Sequence, residues 1–242
     1  MQRLIPILDK VVIATLFIFV AFSMFSISVT QIACGLGGIA WLWRNQLTGS
    51  WRNQRWPLWI PFGLYVLACL IAVVDAYDVG YSYKSLKKLL EILIFFWVLN
   101  CVRENDLRDS ISVVLIASAT LATLLGFYQV WRDGLDEFGF ANRIEGTLSV
   151  YMTFAGILMM VGILASARVM FYRPLQRWVL ASVGVIIICL LFTLTRQAWF
   201  GLLAGSIFLI FIWRKKVLLL TPFIMIAIML ASPDAVKKRI TS

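Results

Sequence analysis

The side chains best placed to do chemistry in this 242-residue sequence are cations set against apolar runs. Arg196 stands in Phe192-Thr193-Leu194-Thr195-Arg196-Gln197-Ala198-Trp199-Phe200, with apolar stretches close on both sides. A charge at the centre of a spanning helix costs about 2.5–3.5 kcal/mol to insert, so such residues usually face a cavity or a partner. A guanidinium presents a planar fork of donors that matches phosphate oxygens. The competing reading is that Arg196 caps a turn between two helices at the outer surface. Arg143 stands in Ala141-Asn142-Arg143-Ile144-Glu145-Gly146-Thr147, within a stretch (132–147) that also carries Asp133, Asp136, Glu137 and Glu145. A solvated loop with internal ion pairs competes with an anion-binding role there. Lys84, Lys87 and Lys88 fall at i, i+3 and i+4, one face of an α-helix, with Glu91 a turn further on. An anionic lipid headgroup such as a diphosphate suits that stripe, and so does ordinary interfacial anchoring.

Other chemistries find no residues. The chain has no histidine. It also lacks a Gly-rich loop ending in Lys-Ser/Thr, a metal-ligand cluster and a Ser-His-Asp set, so no catalytic residue is assigned and no cofactor is implied. Cys34, Cys69, Cys101 and Cys189 lie in or beside apolar runs without CxxC spacing, and read as small buried hydrophobes. Glu91 is the one acid expected inside a span and Asp75 sits at a span edge. That argues against a proton- or cation-coupled transporter, which buries carboxylates along its path.

The elements that must position these cations follow from composition. Hydrophobic residues make up 62% and charged residues 14%, against about 45–50% and 25% in soluble domains. So much apolar surface cannot be hidden in a water-soluble globule, and disorder requires low hydrophobicity. The runs are long and do not alternate, which selects helices over a barrel. The expectation is an all-α polytopic transmembrane bundle of about nine spans, forming a single transmembrane domain over 1–242. The runs are 9–27, 29–43, 57–75, 86–102, 110–131, 148–167, 178–194, 198–213 and 217–231. Residues 26–31 make a tight hairpin between the first two. The first run reads as a span and not as a cleaved signal peptide.

Net charge is +10, but membrane proteins carry Lys and Arg for topological reasons, so nucleic acid is not an expected partner. With the N-terminus in the cytoplasm, 13 of the 22 basic residues fall inside, and every short inner loop holds at least two. The other nine, Lys84, Lys87, Lys88, Arg132, Arg143, Arg196, Lys237, Lys238 and Arg239, fall outside, where topology gives no reason for them. Gly201-Leu202-Leu203-Ala204-Gly205 is a GxxxG, a close-packing signal. The tryptophans near run ends, including Trp41, Trp43, Trp51 and Trp56, form an aromatic belt.

Thr193-Leu194-Thr195-Arg196-Gln197-Ala198-Trp199 resembles the T-x-[ST]-R-x-[AG]-W motif of the O-antigen ligase and polymerase superfamily. Asn142-Arg143-Ile144-Glu145-Gly146-Thr147-Leu148-Ser149, followed by Tyr151-Met152-Thr153-Phe154-Ala155-Gly156, is similar to that family's loop-to-helix segment. The resemblance implies a GT-C-type glycosyltransferase of the bacterial inner membrane. Such an enzyme transfers a glycan from an undecaprenyl-diphosphate carrier to an acceptor on the periplasmic side, lipid A–core in the ligases and another carrier-linked unit in the polymerases. Its partners would be that carrier-linked glycan, the acceptor and membrane lipids. By motif match Arg196 would contact the carrier diphosphate, with Arg143 a second match and Arg239 near the start of a large periplasmic loop. That loop carries the family's histidine. With none present, the resemblance implies the N-terminal part of a longer protein. The alternatives are a polysaccharide polymerase, a permease or flippase, and a non-catalytic membrane scaffold.

Overall fold

The computed structural model describes residues 4–74, 80, 86–133, 144, 146, 148, 150–172 and 174–213. Among them the chain forms eight α-helices, two short 3-10 turns and no strand. The helices are α1 (Ile5–Phe22), α2 (Ile27–Thr48), α3 (Trp59–Val74), α4 (Leu90–Cys101), α5 (Asn105–Asp133), α6 (Tyr151–Phe171), α7 (Arg177–Phe192) and α8 (Arg196–Trp213). The 3-10 turns cover Ser50–Asn53 and Leu86–Leu89. Each of the first eight apolar runs coincides with a helix, and the ninth, 217–231, lies outside the described residues.

The expected nine spans are corrected by helix length and polarity. Among the described residues four helices are long and apolar enough to cross a membrane: α1, α5 (to Arg132), α6 and α8. Helices α3 and α7 have 16 residues and α4 has 12, which at 1.5 Å per residue reach about 24 and 18 Å against a hydrocarbon core of about 30 Å. Helix α2 is long enough at 22 residues but carries Gln31, Arg44, Asn45 and Gln46. The third run is shortened by a turn at Leu58, whose φ is +60°. In the fourth, the 3-10 turn precedes α4. The connection between α1 and α2 is tight, but it falls at residues 23–26 and not at 26–31, since α2 already begins at Ile27; the Phe25 and Ser26 N–H groups donate to the Phe22 carbonyl.

The helices divide into two compact units, residues 1–19 with 28–110, and residues 20–27 with 111–242. In the first, α1 and α2 run antiparallel: Arg44 pairs with Asp9, and Gly37 lies against Thr15 and the Trp97 ring. In the second, α6 packs against α7 and α8. Phe154, Leu158, Val161 and Ala165 recur at helical spacing along one face of α6 and are buried. They meet Val179, Ile186, Cys189 and Leu190 of α7, together with Ile116, Ala119 and Ala122 of α5. The other faces present apolar side chains outward, as with Phe200, Phe208, Phe211 and Ile212 on α8. The four cysteines are free thiols; Cys189 alone is fully buried, and the other three are half-buried.

The GxxxG of α8 meets α6. A Cβ at Gly201 would run into the Met159 thioether, and one at Gly205 into Ile163. Replacing both glycines by leucine is expected to push α8 off α6 and lower the melting temperature in detergent. Gly201→Ala alone should cost little, because the end of Met159 can swing aside. A double leucine variant melting with the wild type would show that this close approach is not needed.

Candidate functional site

One group of polar contacts in the second unit lies at the end where α5 finishes, α6 begins and α7 turns into α8. The α7–α8 turn is built by its own sequence. The Thr193 N–H donates to the Cys189 and Leu190 carbonyls, and its hydroxyl donates to Leu190 O at 2.7 Å. The Leu194 N–H donates to Leu191 O, and the Thr195 hydroxyl to Thr193 O at 3.1 Å. From the first turn of α8, the Trp199 indole Nε1 reaches back to Leu190 O at 3.0 Å. The last carbonyls of a helix have no partner within it; here Thr193, Leu194 and Trp199 supply partners for those of Cys189, Leu190 and Leu191. Thr193, Leu194 and Thr195 are buried, and Leu194 takes a left-handed φ of +51°. Ala198 is buried beneath the turn.

Arg196 is the first residue of α8. Its side chain is half-buried, with Nε out of solvent contact. A helix N-terminus carries partial positive charge and outward-pointing N–H groups, so the guanidinium and the helix end attract the same anions.

Ile144, Gly146 and Leu148 are held at the same end. Ile144 and Leu148 are buried in the core of the unit. The Gln129 side chain, near the end of α5, clamps Gly146 twice: Nε2 donates to Gly146 O at 2.7 Å, and the Gly146 N–H donates to Oε1 at 3.1 Å. Gly146 has φ +63°, and a Cβ there would lie 2.6 Å from the Phe154 ring. Gly126 approaches Ile144 and Cys189, and Phe127 meets Phe192 edge-on at 6.2 Å. Gln129 was not marked by the sequence; its only signal there is an uncharged amide near the end of an apolar run.

The candidate residues are thus distributed unevenly. Arg196 is placed at the built turn. Arg143 lies outside the described residues, but its neighbour Ile144 belongs to the same end of the unit. Lys84 and Arg239 also lie outside them. Lys87 and Lys88 belong to the first unit, on the 3-10 turn Leu86–Leu89, so that part of the expected stripe is not on an α-helix. At the other end of the second unit, Arg168 is engaged by the Ser112 hydroxyl, Gln176 and the Tyr172 ring.

Long apolar helices with outward apolar faces define the class: this is an α-helical membrane protein. No family model matches the chain, and no characterised protein or solved structure matches it.

Proposed function

We propose that this chain is the membrane part of a lipid-linked glycan transferase of the O-antigen ligase type, acting at the periplasmic side of a bacterial inner membrane. The observation that carries the reading is the Arg196 turn, a cation at a helix N-terminus with its backbone fixed by Thr193, Thr195 and Trp199. In such a transfer an acceptor hydroxyl oxygen attacks the anomeric carbon of the glycan. The bond from that carbon to the carrier diphosphate breaks, its electron pair leaves with the diphosphate, and the hydroxyl proton passes to a base. Charge therefore grows on the leaving diphosphate, where a fixed arginine and a helix N-terminus stabilise it most. Arg143, next to the clamped segment, is assigned to the same ligand.

Deleting the gene that encodes this chain tests the reading. The expected result is loss of the attached surface polysaccharide with accumulation of undecaprenyl-diphosphate-linked glycan, read by lipid extraction and mass spectrometry. A ligase leaves long unattached chains on the carrier, and a polymerase leaves single repeat units. Unchanged surface glycan and unchanged carrier-linked glycan would overturn the proposal, and accumulation on the cytoplasmic leaflet alone would favour a flippase.

A further inference from the structure

The connection from α2 to α3, residues 49–58, has no part in the glycan-transfer reading, yet it is held by side chains along much of its length. No acidic residue occurs between positions 11 and 74. Trp51 and Trp56 stack with ring centroids 6.3 Å apart and planes 16° off parallel, and both meet the buried Trp41 at 6.2 Å. Trp56 also lies against Phe96 of α4 at 4.8 Å. The Trp51 indole N–H donates to Gln46. Asn100 brackets Arg55: its Oδ1 accepts the Arg55 N–H at 2.7 Å, and its Nδ2 donates to Arg55 O at 3.1 Å. Arg103 donates to the Asn53 carbonyl, to Gln54 and to Asn100.

Those contacts consume Asn100, Arg103, Gln54 and the backbone of Arg55. They leave the guanidinium groups of Arg52 and Arg55 exposed, with no hydrogen bond or ion pair among the described residues. Immediately after them, Leu58 adopts φ +60° and the chain presents Leu58, Trp59 and Ile60 outward, each more than half exposed. Two exposed cations on a side-chain-held backbone, beside apolar residues that include a tryptophan, match the two parts of a phospholipid, a charged phosphate above an acyl chain. A merely topological positive charge needs neither the asparagine bracket nor the tryptophan stack.

We propose that Arg52 and Arg55, with Leu58, Trp59 and Ile60, form a binding site for an anionic phospholipid: the guanidiniums take the headgroup phosphate, and the apolar residues lie along the acyl chains. The test uses the whole chain purified in detergent, mixed with equal amounts of phosphatidylglycerol and phosphatidylcholine, and examined by native mass spectrometry. Wild type retains phosphatidylglycerol in preference to phosphatidylcholine. The Arg52→Gln, Arg55→Gln double variant loses roughly tenfold of that retention, whereas Arg108→Gln, an exposed cation on α5, keeps it. Millimolar inorganic phosphate does not displace the lipid, because it lacks the acyl contacts. Wild-type retention in the double variant, an equal loss in Arg108→Gln, or displacement by inorganic phosphate would each overturn the site. If the double variant does not fold, the wild type alone decides: absence of any preference between the two lipids removes the proposal.

Discussion

Arg196→Ala is expected to abolish glycan attachment while leaving the protein in the membrane at its normal level. The bonds seen to hold the α7–α8 turn run through Thr193, Thr195, Trp199 and the Leu190 carbonyl, and the alanine variant keeps all of those groups. Removing one preorganised donor from a developing anion costs about 2.7–4 kcal/mol, or roughly 100- to 1,000-fold in rate. Arg196→Lys should recover only part of the activity, because an ammonium keeps the charge but loses the bidentate fork. The check is a surface-polysaccharide gel from cells carrying the full gene, with membrane protein level measured in parallel. Normal attachment in the alanine variant would take Arg196 out of the proposed role. A vanished protein band would mean that the residue is structural instead.

A large stability effect is expected at Gly146. Its φ of +63° is a left-handed conformation, which costs an ordinary L-residue about 1–2 kcal/mol. A methyl group there would also press on the Phe154 ring, a rigid neighbour buried in the core, and overpacking of that kind costs about 1–3 kcal/mol. Gly146→Ala should therefore destabilise by about 2–5 kcal/mol and disturb the segment next to Arg143. Gln129→Leu reaches the same segment by another route, leaving the buried Gly146 N–H and C=O without the partners they now have, at about 1–3 kcal/mol each. Gln129→Glu keeps one acceptor and loses one donor, and should fall between. Tryptophan fluorescence during thermal unfolding in detergent reads all three. Combining Gly146→Ala with Phe154→Ala should remove the steric part and leave the backbone part, so the two changes should not add. An unshifted unfolding curve for Gly146→Ala would mean that the clamp does not matter.

The helices were legible because a bilayer asks only for length and hydrophobicity, and eight apolar runs meet eight helices. Their number as spans was not. Leu58 turns the chain in a left-handed conformation without being glycine or asparagine, so its own residue type does not announce the turn. Lys87 and Lys88 were placed by counting 3.6 residues per turn, and they fall on a 3-10 turn. The Thr193–Trp199 turn was legible because its bonds close within ten residues, which a local motif can encode. The clamp from Gln129 to Gly146 spans 17 positions, and an amide that holds a distant backbone looks in sequence like any solvated amide.

Leu194 sits at the corner of the Arg196 turn, wholly buried and left-handed at +51°. Glycine there would relax the backbone but leave a hole where the leucine side chain fills the interior, a loss of several kcal/mol against a gain of about 1–2. A β-branched residue would fill the hole and strain the backbone further, and asparagine would accept the backbone and strand an amide in an apolar core. Each of these three replacements therefore costs more stability than it restores. The corner is a local optimum of stability, in which a costly conformation is kept because each of these remedies on its own is worse.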